Sequence, residues 1–281
     1  MNCFMFPGQP LSFTAPLTDD RDFTDIARLV EKVAYLDLGT LAWTGEVSTD
    51  NVKLQVYGAA MSLYRNRLLL GHGIKPDVIA EHSMGIYPAL AAAGIIAEEE
   101  SIELAYRIGA CFARMSEKVE YSLGCIIGLT IEPVSAIAAN NGVFLANLNT
   151  SRHFLLSGPA AGMAGAIAEA HAGGAFSVKV FPCDAPLHAP TMEEIAPSLA
   201  EICGEYRYGE PLVPLINHID QKPLTAQEVA GFMVRELCIP VYWEATYLAL
   251  HARGAGRFME VGAGDSLKKY NRWIDNEKIS R

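Results

Sequence analysis

The most distinctive string in the sequence is Ile79-Ala80-Glu81-His82-Ser83-Met84-Gly85-Ile86, which sets a serine between a short apolar run and a stretch of helix-forming composition. A serine on a tight strand-to-helix turn is the geometry of a nucleophile elbow. The turn exposes the hydroxyl, and the N–H that follows it, together with the helix N-terminus, faces a developing oxyanion. Of the G-x-S-x-G pattern only the second glycine, Gly85, is present, and Glu81 stands in place of the first. The same residues also fit a simpler role in which Ser83 caps the following helix. A serine hydroxyl is a poor nucleophile near neutral pH, so acyl chemistry requires a base within hydrogen-bond reach. Among the seven histidines, His72, His153, His171 and His251 have polar or glycine-flanked surroundings and read as surface residues, while His82 should point away from the turn. His188 follows Cys183-Asp184-Ala185-Pro186-Leu187, where the chain passes from one unit into the next, and is the candidate base. An ordinary loop histidine is the competing reading.

These residues need elements to position them, and apolar runs alternating with amphipathic stretches predict an α/β fold with a largely parallel sheet. Cys3 to Phe6 and Asp77 to Ala80 read as buried strands, Tyr57 to Leu70, Ile86 to Ala93 and Glu98 to Val119 as helices, and Phe258 to Val261 as a strand ending at Gly262-Ala263-Gly264. A segment of different rhythm intervenes. Cys125–Leu129, Val143–Asn147, Phe154–Gly158 and Phe176–Phe181 read as strands, and Pro133–Asn140 and Gly162–Ala172 as helices. The resulting βαββαβ order is that of a ferredoxin-like unit. The expectation is an α/β-hydrolase-like core with a parallel sheet over residues 1–122 and 182–281, a ferredoxin-like (βαββαβ) subdomain inserted at 123–181, and a ligand cleft between them.

Composition narrows the function. The chain has 281 residues, 51% of them hydrophobic and 19% charged, with a formal net charge of -10. That excludes disorder and disfavours nonspecific contact with nucleic acid or an anionic membrane, because phosphate contacts need an excess of Lys and Arg. No apolar run approaches the ~18 residues of a membrane span, and no basic leader precedes Pro7-Gly8-Gln9-Pro10, so a cytoplasmic protein is expected. The six cysteines, Cys3, Cys111, Cys125, Cys183, Cys203 and Cys238, include no CxxC pair, so neither a zinc site nor a disulfide framework is indicated. No metal and no cofactor are expected.

Six ordered strings carry a resemblance to the malonyl-CoA:acyl carrier protein transacylases, the acyltransferases of fatty-acid and polyketide synthesis. Phe4-Met5-Phe6-Pro7-Gly8-Gln9 resembles that family's FxFPGQG, and Glu81-His82-Ser83-Met84-Gly85 its GHSxG. Asn147-Leu148-Asn149-Thr150 with Leu155-Leu156-Ser157-Gly158 is similar to its N-x-N-S…V-x-S-G hairpin. Leu187-His188-Ala189-Pro190-Thr191-Met192 resembles F-H-S-x-x-M, Arg235-Glu236-Leu237 with Pro240-Val241-Tyr242-Trp243 resembles R-Q-L…P-V-x-W, and Met259-Glu260-Val261-Gly262-Ala263-Gly264 resembles the closing E-x-G-P-G. The resemblance implies a ping-pong transfer from acyl-CoA through an acyl-Ser83 ester to the phosphopantetheine thiol of an acyl carrier protein, with His188 as acid and base. It implies an oxyanion hole from the backbone N–H groups of Gln9 and Met84, and a backbone carbonyl at Glu236 to orient His188. It places Gln55, Ile108, Arg107, Asn147 and Leu187 at the substrate, and a monomer is expected.

The departures concern substrate more than chemistry. Malonyl-specific members carry an arginine before the glycine that matches Gly109; here that position is Ile108, with Arg107 one residue earlier. One residue along a helix is a turn of about 100°, so either the helix is locally shifted or the carboxylate clamp is gone and an uncharged acyl group is favoured. Glu81, Pro10 and Ile86 also depart from the pattern. Two alternatives therefore stand beside the transferase: an acyl hydrolase on the same scaffold, and an inactive carrier-binding paralogue. Carrier proteins are acidic, so a net charge of -10 demands a local basic patch, from Lys268, Lys269 and Arg272 or from Arg65 and Arg67.

Overall fold

The computed structural model describes residues 1–10, 13, 20–117 and 119–279. In chain order the elements are β1 (Asn2–Phe6), α1 (Arg21–Ala34), α2 (Val47–Gly71), β2 (Val78–Glu81), α3 (Ile86–Ala92), α4 (Glu98–Ala113), β3 (Tyr121–Ile127), α5 (Ile131–Asn140), β4 (Phe144–Thr150), β5 (His153–Pro159), α6 (Ala160–Ala172) and β6 (Ser177–Cys183). They continue as α7 (Ala196–Gly204), β7 (Leu215–Ile216), α8 (Val229–Arg235), β8 (Val241–Tyr242), α9 (Trp243–Ala252), β9 (Arg257–Glu260) and α10 (Ser266–Ile279).

A parallel sheet in the order β7-β2-β1-β9 forms the core. Because side chains alternate across a strand, β1 feeds both faces. Phe4 and Phe6 join Ile79 in a layer with residues of α3, α4, α7 and α8. Cys3 and Met5 join Val78 and Ala80 against Trp243, Tyr247 and Leu250 of α9 and Leu267 and Ile274 of α10. Burial on both faces explains why these strands read as continuous apolar runs.

Two helices differ from their sequence reading. The stretch read as a helix over Tyr57 to Leu70 begins at Val47, and the added turns bury Asp50, Asn51 and Gln55. Polar residues on buried positions erase the apolar stripe from which a helix is read. The helix read as far as Val119 ends at Ala113, where the Ser116 hydroxyl donates to the Ala113 carbonyl at 2.7 Å and satisfies a terminal acceptor; Lys118 lies outside the described residues.

The second sheet runs β6-β3-β5-β4-β8. Its first four strands are antiparallel neighbours, and α5 and α6 cover one face with Val134, Ile137, Met163 and Ala166 buried against Ile126, Phe154 and Leu156. The fifth strand, β8, comes from the C-terminal half of the chain and adds in parallel beside β4, pairing Asn147 with Val241. This strand ties the second sheet to the segment that enters α9. Pairing β8 this way brings the β4–β5 hairpin to the end of β2.

Candidate active site

The elbow is built by backbone geometry. After β2 the chain is extended at His82, then Ser83 takes φ 55° in the left-handed region before a tight turn of Ser83–Gly85 leads into α3. A non-glycine residue held there costs about 1–3 kcal/mol and persists only where its surroundings enforce it. Here the His82 N–H donates to the Phe6 carbonyl and the Gly85 N–H to the His82 carbonyl. Gly85 is required by proximity, since a Cβ on it would sit 2.2 Å from the Phe6 carbonyl oxygen at the end of β1. His82 points behind the turn, as its sequence position suggested, and its Nε2 meets Asn149 Oδ1 at 2.9 Å on the β4–β5 hairpin.

His188 reaches the serine from the loop after β6, also with positive φ, at 57°. Its Nε2 lies 2.6 Å from Ser83 Oγ, and its Nδ1 lies 2.9 Å from the Glu236 carbonyl oxygen. A carbonyl only accepts, so Nδ1 carries the proton and Nε2 is left to accept from the serine hydroxyl. Only 2% of His188 is exposed, and burial pushes its pKa down to about 3, so the imidazole is neutral with its Nε2 lone pair facing the serine hydroxyl.

Ser83, Met84 and Gln9 open into a cavity walled by Gln55, Tyr87, Phe112, Leu187, Leu237 and Glu236. Gln9 is held by its side-chain amide, which donates to Asn51 Oδ1 at 3.1 Å. Gln55 is buried over the glycine face of α4, its amide carbon 3.4 Å from where a Cβ on Gly109 would stand. Ser83, His188, Gln9, Met84, Gln55, Leu187 and Glu236 are thus brought together.

Three sequence-predicted substrate residues are not. The α4 helix is unbroken, so its register is not shifted, and Arg107 turns away from the cavity. Its guanidinium grips the Glu205 carboxylate at 2.8 and 2.7 Å, donates to the Tyr206 hydroxyl at 3.2 Å, and its pKa is raised by that carboxylate. Ile108 is fully buried in the core rather than at the cavity wall. Asn147 sits behind the elbow, its amide 3.5 Å from His82 Nε2. No Lys or Arg among the described residues lines the cavity.

Other sequence readings are corrected or completed. His153 is half-buried rather than a surface residue, because β5 faces it toward Cys125 Sγ at 3.2 Å and the Tyr270 ring. Arg67 is committed to Glu98 and Lys269 to Asp265, whereas Arg65, Lys268 and Arg272 are exposed. His218, which sequence reasoning passed over, is fully buried: its backbone N–H and Nδ1 both meet Glu81 Oε1, at 3.1 and 2.9 Å. The one signal for it was the apolar pair Leu215-Ile216 just before, which marks a strand too short to show a period. Among the described residues no group of His, Cys, Asp and Glu is arranged to hold a metal, and no helix is long and apolar enough to cross a membrane. All six cysteines are free and buried.

A serine on a strained elbow at the C-terminal end of β2, an interior strand of the parallel sheet, with a neutral buried histidine at 2.6 Å, is an arrangement suited to acyl-group chemistry. The chain belongs to the acyl transferase family: the family model described as "Acyl transferase domain" matches residues 30–268. Its relatives include malonyl CoA-acyl carrier protein transacylases. It is 28% identical over 277 residues to the one from Escherichia coli strain K12, covering 94% of this chain and 89% of that protein. It is also 27% identical over 290 residues to the polyketide biosynthesis protein ThaF of Burkholderia thailandensis, covering 99% of this chain and 24% of that longer protein. Among solved structures, the malonyl CoA-acyl carrier protein transacylase from Coxiella burnetii superposes with a TM-score of 0.87 at 27% identity, covering 98% of this chain and 91% of that one. The mixed α/β fold with its parallel sheet is that of these acyltransferases.

Proposed function

We propose that the chain transfers an acyl group from CoA to the phosphopantetheine thiol of an acyl carrier protein through an ester on Ser83. The observation that carries this reading is the relay from Ser83 Oγ through both nitrogens of His188 to the Glu236 carbonyl, opening into an apolar cavity. As Oγ attacks the thioester carbon, its proton passes to Nε2 and the carbonyl oxygen becomes an oxyanion, for which the backbone N–H groups of Gln9 and Met84 are the donors. Collapse breaks the C–S bond, and His188 returns the proton to the CoA thiolate. The carrier thiol then opens the ester by the same steps in reverse, so CoA leaves before the carrier protein binds. CoA and phosphopantetheine enter as substrates, and the chemistry calls on no cofactor of the protein.

The acyl group that suits the cavity is uncharged. Tyr87, Phe112, Leu187 and Leu237 offer it apolar surface, and Arg107 is held elsewhere by Glu205. Carrier protein as partner accords with the names of the relatives.

Intact-mass spectrometry after mixing with acetyl-CoA tests the reading. An adduct that is absent from Ser83→Ala and disappears on adding holo carrier protein, with acyl carrier protein formed, is the expected result. An adduct lost to water at the same rate without carrier protein would make the chain a hydrolase. Labelling of Ser83→Ala at the wild-type rate would refute the nucleophile.

A further inference from the structure

Behind His188 lies a carboxyl group for which the transfer chemistry above has no use. Glu236 holds the imidazole by its backbone, yet its side chain turns to the same ring: Oε2 stands 3.5 Å from Nδ1. Glu236 is 1% exposed, and Oε2 has no hydrogen-bond partner. A buried carboxyl oxygen left without a partner is costly, and a fold keeps one where it has work to do. Among the described residues, the N–H it approaches is that of His188 Nδ1, at 3.5 Å.

Building on the Ser83–His188 reading, we infer that Glu236 is a positioning residue for His188 through its side chain as well as its backbone, making a carboxyl-backed triad whose strength follows the ionisation of Glu236. The proton on Nδ1 stays on the histidine throughout. Its hydrogen bond goes to the Glu236 carbonyl at 2.9 Å, while Oε2, 3.5 Å from the same nitrogen, acts through its charge and stabilises the imidazolium that forms when Nε2 takes the serine proton.

The neighbours of this carboxyl set its behaviour. From β2, Glu81 faces it, and Glu81 itself accepts from His218 on the turn after β7. The His218 ring stands 6.3 Å from that of His188, and Tyr87 of α3, Cys203 of α7 and Cys238 each lie within electrostatic reach of Glu236. Burial first, and Glu81 second, hold the Glu236 carboxyl well above the usual carboxylate range. The site therefore runs with a neutral backing group at low pH and gains a charged one as pH rises.

Single-turnover acylation of Ser83 by acetyl-CoA, followed upward from pH 5 to the alkaline limit of the folded protein, reads this directly. The wild-type rate constant should climb by about tenfold or more through one ionisation, in line with the contribution of a positioned acid–base partner. Glu236→Gln keeps the backbone carbonyl and the volume, and should remain near the low-pH plateau at every pH with KM little changed. Glu81→Gln removes the charge that opposes ionisation, so its rise should move to lower pH. Thermal melts confirm that both variants are folded. A Glu236→Gln profile that superimposes on wild type overturns the inference, as does a Glu81→Gln rise that stays in place or moves up. If instead Ser83→Ala is itself acylated, the Ser83–His188 reading fails, a result separable from either Glu variant.

Discussion

The acyl preference of the cavity yields a quantitative expectation. A malonyl group bound at Ser83 brings a carboxylate into a site whose described lining contains no cation. Leaving a buried charge without its partner costs about 3–5 kcal/mol. The cleft is open on one side, so the lower end applies, and about 3 kcal/mol is a factor of roughly 10² in rate. Equimolar acetyl-CoA and malonyl-CoA, mixed with the protein and quenched at early times for intact-mass analysis, should give the acetyl adduct faster by about that factor. Arg107→Ala sharpens the test. The Arg107–Glu205 pair is partly exposed, at 28% and 53% for the two side chains, so its loss should cost no more than about 1 kcal/mol of stability. Because the guanidinium faces away from the cavity, the acetyl-to-malonyl ratio should stay within about twofold of wild type. Malonyl labelling as fast as acetyl labelling, or a selective loss of malonyl labelling in Arg107→Ala, would show that a cation reaches the acyl group and that the reasoning is wrong.

Two further substitutions probe the frame of the site. Gly85→Ala places a methyl 2.2 Å from the Phe6 carbonyl oxygen and 2.8 Å from that of Pro7, both backbone atoms that cannot swing aside. It should destabilise by about 3 kcal/mol, the upper end for overpacking, and slow acylation by about tenfold or more as the Met84 N–H is displaced; an unchanged melting temperature and rate would contradict this account of the elbow. Asp184, four residues before His188, is 1% exposed, and burial pushes its carboxyl up to about 7. Its unfolded value is about 3.9, so between pH 4 and 7 the folded chain binds more protons than the unfolded one, and stability falls as pH rises through that window. Asp184→Asn should remove this fall, gaining up to about 4 kcal/mol over wild type at pH 8 while matching it near pH 4, by denaturant unfolding; parallel stability curves for the two proteins would rule it out.

The central strands and the elbow were legible because burial on both faces makes β1 and β2 unbroken apolar runs, and because Gly85 marks a turn that no side chain fits. The N-terminal half of α2 was not, since Asp50, Asn51 and Gln55 interrupt the apolar pattern while packing inside the protein. The two-residue strands β7 and β8 carry no periodicity, and the place of β8 beside β4 is a pairing across nearly a hundred positions that no local pattern encodes. The orientation of Arg107 was likewise not decided by the sequence. The sequence left open whether a shifted helix brings it to the substrate, and the unbroken α4 and the Glu205 carboxylate hold it away from the cavity.

Glu81 is where the two kinds of reading part. In the sequence it is a bulky residue in place of a glycine, a substitution that should crowd the elbow. In the fold, Ala80 pairs with Ile216, so Glu81 ends β2 beside the turn that carries His218, and its carboxylate is spent on that residue's backbone and ring N–H. The side chain leaves the elbow without obstructing the Ser83–His188 hydrogen bond at 2.6 Å. What it adds is a negative charge facing Glu236, and a carboxyl so opposed resists ionisation where an isolated one in the same position would yield sooner. A change that reads as damage to a motif thus acts, in three dimensions, on the group behind the base of the proposed mechanism. Its effect belongs in the pH dependence of acylation rather than in the loss of the nucleophile.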